Sequence, residues 1–398
     1  MSGLPLPQGE YRVGVIEVDL PAPGTAAGVV PAAIYYPAAK ALDGGAFARP
    51  QWLSSRHAAA MGSASMTIRA AFGEAAGSSL MGALGPAASG WCSVQADLDA
   101  PPLESQKGAW PLAVFSHGLI GWKYLNSAFA AELASRGSVV VALEHADGSA
   151  CTCLSTVDGR ELASFLSLAH LDVEGDAPGD AALRLERRRQ QTDQRRTEVL
   201  AACESVNAAL EKAFGVSDFA RSHQGVAVLG QSFGGATAAV CALRDDRALF
   251  SACLVYDPWI EGGDGAITVP WRSEDLDAAA FPPSCRTLAI WRNGKSGLFP
   301  LCGANMDALR RKMAGADDSA DEAGSRVAAV AAVTAVMHDF ETCGHFAQTD
   351  VPVVFESGAL AFIYRALVDK NEGAMGAAEA LDLATRQTVE ALQGWLHS

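Results

Sequence analysis

The sequence predicts an α/β fold, a mostly parallel central sheet covered by helices on both faces. Three observations carry that expectation. Short β-type runs alternate with longer helical stretches, the pattern of parallel strands joined by helical crossovers. Hydrophobic residues make up 49% of the 398 and charged residues 19%, enough to fill a sizeable core and too apolar for disorder. One of the apolar runs leads directly into a glycine-rich turn and then a helical pattern.

Tyr11–Leu20 and Val29–Tyr36 read as an antiparallel entry pair. Leu112–Ser116 is a compact apolar strand ending in Ser-His-Gly, and Val139–Leu143 another, ending in Glu-His. Val226–Leu229 feeds the glycine-rich turn, Cys253–Tyr256 stops at Asp257, and Thr287–Trp291 stops at Arg-Asn-Gly. Val327–Val336 is expected as the last strand, although its alanines also suit a helix. Helical patterns over Leu125–Arg136, Ala181–Phe214, Gly235–Leu243 and Met306–Met313 separate these strands, and Gly358–Asp369 and Gly373–Leu396 read as closing helices. The whole is expected to be a single domain, residues 1–398, with insertions at about 46–110 and 151–180. The Arg-rich stretch Arg184–Glu198 reads as a solvated helix face laced with pairs such as Glu186 and Arg189.

Thirty basic against 45 acidic side chains leave a net charge of −15, which argues against nucleic acid and against steering onto anionic membranes. No apolar run reaches the roughly 20 residues of a membrane helix. The first residues lack the basic start and apolar stretch of a signal peptide. Nine cysteines, odd in number and scattered, suit a reducing compartment, so a cytoplasmic location is expected. Cys151 and Cys153 have no matching pair at zinc-site spacing, so neither a metal nor another cofactor is expected.

The chemistry is concentrated at Gly230-Gln231-Ser232-Phe233-Gly234-Gly235. Gly-x-Ser-x-Gly between a strand and a helix is a nucleophile elbow: a sharp turn strains the serine and exposes its hydroxyl at the sheet's carboxyl edge. Small residues at 230 and 234 let strand and helix approach closely. Acyl transfer also needs two backbone N–H groups for the developing oxyanion. Phe233, after the nucleophile, supplies one; the loop Ser116-His117-Gly118-Leu119 supplies the other, assigned to Leu119. His117 belongs to that loop and reads as a turn-shaping residue. In the α/β-hydrolase fold the chain order is serine, acid, histidine. Asp257, at a strand end one strand–helix–strand step after Ser232, is the expected acid. His345, in Cys-Gly-His-Phe beyond the last strand, is the expected base, with His338 the alternative; His223 and His397 read as surface residues.

Together Phe115–Leu119, Glu144-His145-Ala146-Asp147-Gly148-Ser149-Ala150, Gly230–Thr237 and Asp257-Pro258-Trp259 resemble the platelet-activating factor acetylhydrolases of the plasma and intracellular type II kind, α/β-hydrolases. The Arg-rich helix and the C-terminal Ala-Leu-Asp-Leu-Ala-Thr-Arg stretch extend the resemblance over most of the chain. It implies calcium-independent hydrolysis of the sn-2 ester of phospholipids with short or oxidised acyl chains. It also implies an acid matching Asp257 and oxyanion donors matching Leu119 and Phe233. Gln231 stands where that family usually has His, Phe-Ala-Gln-Thr-Asp follows His345 in place of the family's usual spacing, and Ile-Gly-Trp-Lys follows Leu119. The Glu144–Ala150 motif reads as structural.

A phospholipid partner implies peripheral contact with a lipid surface. Met61, Ile68, Phe72, Ala76 and Leu80 fall near one helical face, which either packs on the enzyme's own core or docks on lipid. Rival functions are a carboxylesterase for soluble esters or polyesters, and a catalytically inactive binding protein on the same fold.

Overall fold

Apolar side chains on both faces of each central strand dictate where the sheet runs. The computed structural model describes residues 4–39, 47–72, 92–103, 105, 108–166, 178–259, 284–293, 334–340, 350 and 377–396. Its strands are β1 (Arg12–Pro21), β2 (Val29–Ala38), β3 (Asp97–Leu98), β4 (Trp110–Ser116), β5 (Val139–Leu143), β6 (Thr152–Leu154), β7 (Glu161–Ser164), β8 (Ala220–Arg221), β9 (Val226–Gln231), β10 (Phe250–Tyr256), β11 (Thr287–Asn293) and β12 (Thr334–Phe340). Its helices are α1 (Ser55–Phe72), α2 (Ser127–Ser135), α3 (Pro178–Phe214), α4 (Phe233–Leu243), α5 (Ala377–Ala391) and α6 (Gln393–Leu396).

The main sheet runs β12-β11-β10-β9-β4-β5-β2-β1-β3, with β8 beside β4. From β12 through β5 every pair is parallel; β2 then joins β5 antiparallel, and β1 joins β2 antiparallel. This is the expected α/β-hydrolase architecture, with the entry pair at one side. Period-2 alternation divides the core. Ala113, Phe115, Val140, Ala142, Leu229 and Leu254 face one apolar cluster, which α2 and α5 cover with Phe129, Leu133 and Leu381. Leu112, Val114, Val139, Val141, Val228 and Val255 face the other, covered by α3 and α4 through Val199, Val206 and Val240. Each fully buried Val or Leu contributes about 1.5–3 kcal/mol.

Topology places the site. The chain leaves β4 toward β5 on one side and leaves β9 toward β10 on the other, while β4 and β9 are neighbours. That is a topological switch point, where the loops at the carboxyl ends part and open a crevice. The loop after β4 and the turn after β9 are the two segments in which chemistry is expected.

Two expectations need correcting. The strand expected over Val327–Val336 is described as Thr334–Phe340, paired with β11 in register from Thr287–Thr334 to Asn293–Phe340. The described strand runs four residues past the expected end at Val336, and residues 327–333 lie outside the described residues. The Arg184–Glu198 segment is not a solvated face throughout: Arg188, Arg195 and Glu198 are buried. They lie on the same stripe of α3 as the apolar Val199, Ala202 and Val206, at spacings of three and four residues.

Met306–Met313 and Gly358–Asp369 lie outside the described residues. In α1, His57, Ala58 and Met61 are buried, so its first turns pack on the core; Ala76 and Leu80 lie outside the described residues. Among the described residues, no helix is long and apolar enough to cross a membrane.

Candidate active site

β9 delivers Ser232 into α4 through a backbone that L residues avoid, φ 55° and ψ −118°. Such a residue costs about 1–3 kcal/mol and persists only when its surroundings over-determine it. Three hydrogen bonds do so: Ser232 N–H to Tyr256 O at 2.9 Å, and Trp259 N–H and Ala236 N–H to Ser232 O at 2.9 and 3.1 Å. The flanking glycines are steric necessities. A Cβ on Gly230 would stand 2.0 Å from Gly234 O, and one on Gly234 would stand 1.9 Å from Ser116 O. Gly235, less evident in the sequence, meets Pro258 Cβ at 2.8 Å in the same test. Ser232 is the N-cap of α4, yet its side chain makes no capping bond, so the hydroxyl is not spent on the helix. It sits at the helix's positive end, where an anion is favoured.

The loop after β4 lies against this turn. A Cβ on Gly118 would stand 3.3 Å from Ser232 Cβ. The Gly118 carbonyl accepts from His117 Nδ1 at 2.6 Å and from Gly121 N–H at 3.1 Å. A trans peptide points its C=O and N–H in opposite directions. Anchoring the Gly118 carbonyl therefore turns the Leu119 N–H the other way, out of the loop's own hydrogen-bond set. Among the described residues, neither Leu119 N–H nor Phe233 N–H meets a backbone acceptor. Ile120, at φ 57°, continues the loop in a strained conformation, pinned by its N–H to Ser149 O at 2.7 Å.

His117 is locked as one tautomer. The His145 N–H donates to its Nε2 at 3.1 Å, so Nδ1 carries the proton given to Gly118 O. Burial, reinforced by the Arg195 guanidinium, pushes its pKa down to about 4. A neutral ring with both nitrogens engaged cannot serve as a general base, which agrees with a turn-shaping role.

Asp257 directly follows β10, at φ 38°, and is buried. Tyr256 pairs with Gln231 in register, so Asp257 follows directly beside Ser232; its N–H donates to Trp291 O at 2.6 Å. His345 lies outside the described residues. His338 lies within β12, opposite Trp291, rather than in a loop beyond the strand.

Asp350, just past His345, is fully buried and was not singled out from the sequence. Its carboxylate accepts from Ser127 N–H at 2.9 Å, Ala128 N–H at 3.2 Å and Trp52 Nε1 at 3.1 Å, and also from the Ser127 hydroxyl. The N-cap residue of α2, Asn126, makes no side-chain cap, so Asp350 caps that helix from a distant part of the chain. Burial pushes its carboxyl up to about 7 against the pull of these donors.

The Glu144–Ala150 motif packs against the loop after β4, with Ser149 O accepting from Ile120 N–H. His145 bridges Ser116 Oγ at 2.7 Å and Glu198 Oε2 at 2.7 Å, all three fully buried. Burial and the neighbouring Asp147 raise Glu198 to about 8, while burial, Arg195 and His117 hold His145 well below its ordinary value. Burial pushes Glu144 up, but Lys123 and His57, at 3.4 and 3.1 Å, outweigh it and hold this carboxyl well below the carboxylate range.

The family model for platelet-activating factor acetylhydrolase, isoform II, matches residues 2–262. The chain belongs to this family. Platelet-activating factor acetylhydrolases from dog (Canis lupus familiaris) and guinea pig (Cavia porcellus) are 31% and 30% identical to it over 169 and 193 residues. These alignments cover 40% and 46% of this chain and 37% and 42% of the relatives, so the chain spans about two fifths of the length of the curated relatives it matches. A ferulic acid esterase from Streptomyces cinnamoneus superposes with a TM-score of 0.59 at 17% identity, covering 99% of this chain and 92% of that one. That likeness establishes the α/β-hydrolase fold shared by the two chains.

Proposed function

We propose that this member of the platelet-activating factor acetylhydrolase family is a serine carboxylic ester hydrolase. Its substrates in this reading are phospholipids carrying short or oxidised acyl chains at the sn-2 position. The observation that carries it is the pairing of a strained Ser232 with the oriented Gly118–Leu119 peptide pressed against it. In this reading Ser232 Oγ attacks the ester carbonyl carbon as His345 takes the hydroxyl proton, with Asp257 holding the imidazole and stabilising its charged form. The carbonyl oxygen, now anionic, rests on the N–H groups of Leu119 and Phe233. Collapse expels the lysophospholipid oxygen, which receives the proton from His345. Water, giving its proton to His345, then attacks the acyl-enzyme and releases the acid and Ser232. Every charge that develops meets a protein group, so no step requires calcium.

Seven described cysteines are free, six of them buried, which supports a reducing, cytoplasmic setting. Contact with a lipid surface enters this reading through the substrate. One domain, with insertions at about 46–110 and 151–180, fits the continuous sheet.

A fluorophosphonate should label Ser232 alone, and Ser232→Ala should abolish hydrolysis of a short-chain aryl ester; an unchanged rate ends the proposal. Asp257→Asn and His345→Ala should each lower kcat on the order of 10³–10⁴-fold, with His338→Ala near wild type. Dispersed short-chain phospholipid compared with a soluble ester of equal chain length tests the substrate. A strong preference for the soluble ester would favour a general carboxylesterase.

A further inference from the structure

The buried Arg195 has no place in the mechanism above, yet it touches both segments that carry the oxyanion donors in that reading, the loop after β4 and Phe233. We infer that Arg195 is a positioning residue that holds the two oxyanion donors in a common frame; the inference rests on the reading of Leu119 and Phe233 as those donors.

Arg195 is fully buried in the middle of α3. Its Nη1 donates to the His117 carbonyl at 2.8 Å, two residues before the Leu119 N–H. Its Nη2 and Nε donate to Ser149 Oγ at 2.5 and 3.1 Å, and the carbonyl of Ser149 receives the N–H of Ile120, one residue after the donor. The loop is thus gripped on both sides of Leu119 by one planar group. The Cζ of the same guanidinium lies over the ring of Phe233, 4.2 Å from its centroid, and Phe233 is the residue that carries the other donor. Asp147 Oδ2, 3.0 Å from Nε, balances the charge and fixes the plane. The effect inferred for Arg195 is geometric.

The fork is what makes this possible. A guanidinium has five donors in one rigid plane and a face that stacks on aromatic rings. Lysine could keep the charge near Asp147 but could not reach His117 O and Ser149 Oγ while also packing over the Phe233 ring. An oxyanion hole needs its donors placed before charge develops, and losing one such donor costs about 10²–10³ in kcat. A loosened frame should cost a part of that.

The test counts active enzyme with a fluorophosphonate, so that kcat is expressed per labelled Ser232. Arg195→Lys should then lower kcat on a short-chain aryl ester about tenfold or more, with KM within about threefold. A trifluoromethyl ketone, which captures Ser232 Oγ as an anionic tetrahedral adduct, should lose affinity by the same factor as kcat/KM. A merely structural arginine would reduce the labelled fraction and leave both per-site values at wild type; that result overturns the inference. So does a fall in kcat with the ketone's affinity unchanged. Phe233→Leu, which keeps the N–H and removes the ring under the guanidinium, gives a second reading that decides the matter if Arg195→Lys does not fold. Parallel losses of kcat and ketone affinity support the inference, and wild-type values overturn it. Absence of fluorophosphonate labelling in the wild-type chain is a different failure, that of the esterase reading itself.

Discussion

Gly234→Ala should separate the nucleophile from the loop that serves it. The added Cβ would stand 1.9 Å from the Ser116 carbonyl oxygen, 2.5 Å from its carbon and 2.7 Å from His117 O. Contacts under 3.0 Å are essentially never seen for real Cβ atoms, so the two backbones must part by at least 3.0 − 1.9 = 1.1 Å. The three nearest atoms are main chain, so no side-chain rotation relieves these contacts. Displacing reacting groups by about 1 Å costs about 100-fold in rate. We therefore expect kcat per fluorophosphonate-labelled site to fall at least about 100-fold, measured on a short-chain aryl ester, with far-UV circular dichroism reporting a retained fold. Gly394→Ala is the control. It meets nothing within 4 Å and lies in α6, so kcat should be unchanged and the melting temperature equal or slightly higher. A Gly234→Ala enzyme within tenfold of wild type would refute the claim that contact between the elbow and the β4 loop sets the catalytic geometry.

Acid should weaken the fold through His117. Its folded pKa of about 4 lies below the ordinary 6.5, so the neutral ring's contribution is complete above pH 6.5 and is lost as the pH falls toward 4, about 3 kcal/mol in all. His117→Gln removes this titration, so denaturant midpoints of wild type and variant should converge between pH 7 and pH 5; parallel curves would contradict the buried neutral tautomer. Asp350→Ala strips a shared acceptor from Ser127, Ala128 and Trp52. It should cost about 3 kcal/mol in urea denaturation at pH 8, where the wild-type carboxyl is ionised. An unchanged midpoint would show that the cap on α2 contributes nothing.

The main strands near the site were legible because each is a contiguous apolar run whose neighbours in sequence decide it; Val139–Leu143 matches its expected bounds. The strand expected to stop at Val336 runs on to Phe340, because His338 and Asp339 interrupt the apolar signal that marks its earlier residues. Arg195 was hidden for a different reason. Its charge suggests solvent, and only its position in line with Val199, Ala202 and Val206 signals burial. That helical spacing was present in the sequence and outweighs residue type once a partner such as Asp147 waits in the interior.

By itself the sequence determined the elbow. Strand, tight turn and helix are consecutive residues, and the glycine at 230 is required by Gly234 and Gly235 within the elbow itself. The tertiary structure alone decided what stands around it. The His117 tautomer depends on the amide of His145, the loop's grip on Arg195, and the α2 cap on a carboxylate 223 residues away from Ser127. Hydrogen bonds are short-ranged and directional, so partners far apart in sequence become visible only when packing brings their atoms within about 3 Å.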